Sequence, residues 1–330
     1  MWVGCVGLTL AGCSGGAPPK KPMGALPSAV TSAEPEWLPK RILAGSAVAA
    51  DPREAHLFDT RRITRGLSVR EVAWSPDGSF VVVVAKRPEE AKLVVLKLPL
   101  GKSFREVEPE TISLAGDTPS SVAVSTTPSG EARIIYISAG GLVEVGPNGR
   151  RRIETAPFVP INVAVEPMTA ELYMVAKHPQ GVGLVRAQPD GSAGRLLVTE
   201  HVEPGSPSLS ADRGYVVVSA SADKSGDAGL LLTSTEGGQI RRLAGAGNFA
   251  SRSSTFHPGG RLLAFSSSRD RKDGELYIIQ WAGDARVERV TFMQGDAPAF
   301  SPDGRSLAFT SVRGKSETAD LYIARFLEEP

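Results

Sequence analysis

A five-residue turn returns along this chain, as Trp74-Ser75-Pro76-Asp77-Gly78, Phe256-His257-Pro258-Gly259-Gly260 and Phe300-Ser301-Pro302-Asp303-Gly304. Each copy follows a short apolar segment and precedes a strand-like run, SFVVVVA, RLLAFSS or RSLAFTS. The last two turn prolines lie 44 residues apart, and the first lies 182 residues ahead of the second, close to four further periods. A period in the forties made of short strands is the mark of a β-propeller. Weaker copies fill the gap at Thr127–Ser138, Glu166–Ala176 and Ser210–Ala220. Counted at Pro76, Pro128, Pro167, Ala211, Pro258 and Pro302, the steps are 52, 39, 44, 47 and 44, which makes six units.

Two more series keep the same register. A third strand is expected at Ala91–Leu98, Gly141–Gly146, Val182–Ala187, Gly229–Ser234, Glu275–Gln280 and Asp320–Arg325. Gly- and Asn-containing turns follow most of these runs, because hairpin turns need residues that tolerate positive φ. An outer strand follows at Arg151, Arg195, Arg241 and Glu288, but the last unit stops after its third strand. The missing strand stands at the other end of the chain, as Arg61-Arg62-Ile63-Thr64. The expected fold is therefore an all-β, six-bladed propeller closed by N-terminal strand exchange, joining residues near 62 to residues near 323. Closure removes an open seam of unpaired strand edges.

The unit apolar–FSPDG–R-x-LAFTS–loop–DLYIAR, clearest over Ala297–Arg325, resembles the WD-like repeat of TolB-type propellers. The likeness runs from about Arg61 to Arg325. It implies a cell-envelope protein that binds other proteins, here without the α/β domain that precedes the propeller in TolB.

The N-terminus reads MWVGCVGLTLAGC. Trp2–Gly12 is uncharged and apolar, too short to span a bilayer as a helix and suited to a removed signal. Leu10-Ala11-Gly12-Cys13 has the form of a lipobox, which makes Cys13 the lipid attachment point. Ser14 follows where Asp would direct retention at the inner membrane, so an outer-membrane lipoprotein facing the periplasm is expected. The chain then divides into a signal peptide (1–12), an acylated Cys and Pro/Ala-rich tether (13–52) and the propeller (53–330). As a coil, the tether spans on the order of 35 Å. The other cysteine of the two, Cys5, leaves with the signal, so disulfides play no part.

Signals for chemistry are weak. A formal net charge of +1 argues against nucleic acid as partner. The Gly12–Gly16 match to G-x-S-x-G lacks a strand–turn–helix context. The four histidines, His56, His178, His201 and His257, have no metal-ligand spacing, and His257 is expected to cap its turn. Asp223-x-Ser225-x-Asp227 resembles a calcium loop but lacks the Gly and distal Glu of one. Arginine runs at 61–62, 150–152 and 241–242 fall on outer strands, where they discourage edge-to-edge association or form a rim for lipid headgroups or acidic polymer.

No catalytic residue, metal or cofactor is therefore assigned. Propeller topology places a binding surface on the pore face opposite the SPDG turns. Its outer-to-inner loops carry Arg70, Asp117, Phe158, His201 and Glu203, and further on Phe249, Arg252, Gln294 and Asp296. A second-to-third-strand loop adds Arg269. Charges of both signs with two aromatics suit protein recognition. The leading expectation is a non-enzymatic interaction scaffold for periplasmic or outer-membrane proteins. The alternative is a propeller that binds or cleaves an envelope glycan or peptide at this face, with Asp117, Glu203 and Asp296 as candidate carboxylates.

Overall fold

A computed structural model describes residues 46–49, 51–87, 92–100, 109–221, 228–243, 250–283, 286–313 and 318–329. Cys13, the signal and most of the tether lie outside the described residues, as do Phe249 and the Asp223–Asp227 loop. The described chain forms six antiparallel sheets arranged as a propeller. Inner strands begin blades 1 to 6 at Ser68–Trp74, Val122–Thr126, Val159–Val165, Ser208–Leu209, Ser251–Phe256 and Asp296–Phe300. The third strands fall at Leu93–Pro99, Gly141–Gly146, Gly181–Ala187, Gly229–Ser234, Glu275–Gln280 and Asp320–Phe326, as the repeat register requires.

Second strands are apolar on both faces because each blade is covered by a neighbour on either side. In blade 1, Val81, Val82, Val83, Val84 and Ala85 are all fully buried. Alternate residues feed two interblade cores. Val81 and Val83 pack with Leu321 and Ile323 of blade 6, while Val82 and Val84 pack with Ile134 and Tyr136 of blade 2. Trp74 adds a polar tie, its indole Nε1 donating to the Ala299 carbonyl at 2.9 Å.

The recurring turn works through a polar cap and a left-handed residue. The caps are Ser75, Thr127, Glu166, Ser210, His257 and Ser301. Each donates its own N–H to a carbonyl across the turn, from Phe80, Glu131, Glu171, Tyr215, Leu262 and Ser306 in that order. Positive φ follows at Gly78, Gly130, Ala170, Arg213, Gly260 and Gly304. Two of the three degenerate turns thus keep the geometry with a non-glycine residue. Glu166 replaces the cap hydroxyl with a carboxylate that accepts the Met168 N–H at 2.8 Å. His257 does it with Nδ1, which accepts the Gly259 N–H at 3.0 Å.

Blade 6 joins the two ends of the described chain. Leu57–Arg62 pairs antiparallel with Asp320–Phe326, with Arg61 opposite Ile323 and Arg62 opposite Tyr322. Ser46 and Ala47, within the stretch read as tether, add a short fifth strand outside it. One clasp recurs in blades 5 and 6. The hydroxyl of Thr291 donates to Glu275 at 2.5 Å and accepts the Leu276 N–H at 2.8 Å, while Arg289 pairs with Glu275 at 3.0 Å. In blade 6, Thr64 donates to Asp320 at 2.9 Å and accepts the Leu321 N–H at 2.9 Å, while Arg62 pairs with Asp320. The strand from the distant end of the chain therefore bonds as a sequence-local outer strand does. Just ahead of it, Glu54 makes a two-pronged pair with Arg313 at 2.9 and 3.0 Å, both side chains almost wholly buried. His56 Nδ1 lies 2.7 Å from the Leu327 carbonyl.

Two stability outcomes follow. A Cβ on Gly130 meets nothing within 4 Å, whereas on Gly304 it comes within 2.4 Å of the His257 ring. In urea denaturation, Gly130→Ala should cost about 1 kcal/mol and Gly304→Ala about 2–4 kcal/mol. Glu54→Ala strands a buried guanidinium and should cost about 3–5 kcal/mol, with a fall in the thermal midpoint to match.

Candidate functional site

Counting back four residues from each turn cap reaches one position on, or just ahead of, each inner strand: Glu71, Ala123, Asn162, Ser206, Ser253 and Ala297. Five of these line a central channel of about 610 Å³ that opens on the turn face. Asn162 touches the same ring by donating from Nδ2 to Glu71 Oε1 at 3.1 Å. Ser206 Oγ donates to that oxygen at 2.5 Å, and the Val122 N–H donates to Oε2 at 3.0 Å. Glu71 of blade 1 is thereby bound to blades 2, 3 and 4. Burial pushes its carboxyl above the ordinary range, and the bonds from Ser206, Val122, Ser121 and Asn162 pull only part of the way back.

The inner strands are not regular at this level. An extra residue breaks the ladder between Val69 and Glu71, between Pro160 and Asn162, between Arg252 and Ser254, and between Asp296 and Ala299. Such bulges re-aim side chains where a ladder would otherwise set them. The sequence reading missed this girdle, because one residue in about forty makes no local pattern. The signal that finds it is the constant offset from the turn caps.

The opposite face carries the expected binding residues, and the structure separates them. Arg252, Arg269 and Asp296 meet in one open basin of about 620 Å³, together with Asp270, Arg271, Lys272 and Asp273. The Arg269 guanidinium lies 4.9 Å from the Tyr277 ring centre and 5.6 Å from that of Phe265, and burial pulls its pKa below the ordinary value. Asp270 accepts the Tyr277 hydroxyl at 2.6 Å. Arg252 is exposed, and neither it nor Lys272 has an ion-pair partner among the described residues.

Other members of the expected surface are engaged within the fold or stand apart. Asp117 accepts from Tyr136 Oη at 2.5 Å, from the Leu114 N–H at 2.7 Å and from Ser138 Oγ at 3.3 Å, with Arg150 at 3.4 Å. Gln294 is only 7% exposed and accepts the Val312 N–H through Oε1 at 2.8 Å. Phe158 packs half-buried against the core between blades 2 and 3. Arg70, His201 and Glu203 are exposed, and none of them lines the basin. Among the described residues, no group of three His, Cys, Asp or Glu side chains is placed to hold a metal ion.

No family model matches this chain, and no curated protein matches it. Solved structures do match. A gluconolactonase from Xanthomonas campestris superposes with a TM-score of 0.57 and 13% identity, over 86% of this chain and 98% of that one. A putative TolB from Agrobacterium tumefaciens gives 0.55 and 16%, over 78% and 90%. TolB from Acinetobacter baumannii gives 0.54 and 13%, over 79% of this chain and 63% of that one. The fold is that of a TolB-like six-bladed propeller. Because an enzyme matches as well as the TolB proteins do, fold alone does not choose between catalysis and binding.

The Asp117 cluster yields a pH prediction. Burial raises its carboxyl, but the bonds from Tyr136, Leu114 and Ser138 and the charge of Arg150 outweigh this and hold it below the ordinary 3.8. Its stabilising contribution is present above that value and is lost as pH falls through the lowered one. Asp117→Asn should cost about 1–2 kcal/mol at pH 7, and the gap to wild type in denaturant titrations should close as pH falls below 3.8.

Proposed function

We propose that this chain is a non-enzymatic lipoprotein of the cell envelope whose propeller docks other envelope proteins. The observation that carries this reading is the loop-face basin, where Arg252, Arg269 and Asp296 converge with Asp270, Lys272 and Asp273 around an open floor. Charges of both signs at an open site suit a peptide segment or loop more than a small enclosed ligand. The like fold of TolB proteins supports the same reading, as does the lipobox at Cys13 with Ser14 after it, which supports anchoring at the outer membrane.

In-cell crosslinking followed by affinity purification tests this. Wild type should capture a stoichiometric envelope protein, and a Cys13→Ala form, mislocalised, should lose it. Arg252→Glu with Lys272→Glu should reduce capture at least about tenfold if each contact is worth about 1 kcal/mol or more. Clean recovery of the propeller alone, or capture indifferent to both changes, rejects the scaffold reading.

A further inference from the structure

The channel girdle sets one carboxyl among neutral donors. Glu71 is the only ionisable group among its six residues, and its partners are all neutral: the Val122 N–H, the Asn162 amide and the hydroxyls of Ser206 and Ser121. No Lys, Arg or His pairs with it among the described residues. Buried charges are ordinarily paired with an opposite charge. The girdle positions of blades 5 and 6 take no part in these bonds. Ser253 and Ala297 hold φ of 44° and 47°, values that disfavour any residue with a Cβ. Strain of this kind, about 1–3 kcal/mol each, collects at ligand clamps. Next to them, the buried Ser254 hydroxyl has no hydrogen-bond partner. Toward the turn face the lining adds Val72, Val124, Val165, Phe256 and Phe300, along with His257 and the paired Glu166 and Arg213.

We propose that the channel binds a small organic ammonium ion, with its N–H groups on Glu71 and the girdle hydroxyls and its apolar body against the valine and phenylalanine walls. The volume of about 610 Å³ suits such a guest. A divalent metal fits the donor set less well. Calcium takes six or more oxygens and magnesium six, whereas the girdle offers one carboxylate, and Asn162 already turns its amide N–H₂ toward that carboxylate. An ammonium ion needs only two or three acceptors and one negative charge. This site opens on the turn face and shares no residue with the loop-face basin, so the two proposals stand or fall separately.

Benzylammonium chloride is a suitable probe, titrated into the propeller-containing full chain by calorimetry with Trp74 fluorescence in parallel. Trp74 lines the channel and reports occupancy there. Saturable binding is expected, with the isosteric benzyl alcohol about tenfold weaker or worse, as loss of a charged hydrogen bond implies. Glu71→Gln should lose a similar factor, while Arg252→Glu on the other face should change nothing. Because the carboxyl is pushed up, affinity for the amine should fall as pH drops through its raised value. Equal binding of amine and alcohol overturns the proposal, as does an unaltered affinity in Glu71→Gln. So does saturable calcium binding that excludes the amine, or the absence of saturable amine binding to folded wild type. Should Glu71→Gln fail to fold, the comparison of amine with alcohol on wild type still decides.

Discussion

A ring of blades has one joint that sequence neighbours cannot make, and the rest of the propeller depends on it. Five blades draw all their described strands from one stretch of chain, but blade 6 pairs Leu57–Arg62 with Asp320–Phe326. Opening that joint would expose a third-strand edge and uncover Tyr322 and Phe326, which sit in the core between blades 5 and 6. Three kinds of contact hold it. The ladder sets register, the Thr64–Asp320–Arg62 clasp fixes the strand end, and the Glu54–Arg313 pair buries a charge couple just ahead of the strand. A buried pair adds little over apolar packing of the same shape, but it heavily penalises any arrangement that separates the partners. The Glu54–Arg313 pair therefore penalises any register that moves Leu57–Arg62 away from Asp320–Phe326.

The turns show how much substitution a backbone geometry tolerates when its essential features are kept. What recurs is a cap that accepts an N–H and a residue with positive φ. Serine, glutamate and histidine all serve as side-chain caps, and alanine and arginine take the left-handed position at Ala170 and Arg213. Ala170 and Arg213 accept backbone strain that glycine would avoid. Each has a compensating contact: Ala170 is buried in the core, and Arg213 pairs with Glu166 at 3.0 Å.

This explains what could be read from the chain alone. Third strands such as Gly141–Gly146, Gly229–Ser234 and Glu275–Gln280 were legible to the residue, because apolar runs between turn residues leave little choice of register. Blade 1's outer strand, Glu110–Thr111, and the extra strand at Ser46–Ala47 were not, since two residues make no pattern. Side-chain chemistry was harder still. Asp117 and Gln294 were placed on the right connections, but loop membership says nothing of whether a polar group is already engaged. Tyr136 and Arg150 engage the first, and the backbone of Val312 the second. The girdle was invisible because its members share no residue type, only an offset.

The two faces of the propeller present charge in different ways. From the turn face the channel runs past valine and phenylalanine side chains, and past the paired Glu166 and Arg213, to the one carboxyl of the girdle, where a lowered local dielectric magnifies any charge. The loop face spreads several charges over an exposed floor, where water and salt weaken each of them. An enclosed single charge can select a small ion by its sign and size. A spread of exposed charges selects only through many contacts made together, which requires an extended partner. Blades 5 and 6 build part of both, because the bulges at Ser253 and Ala297, which line the channel, directly follow Arg252 and Asp296, which line the basin.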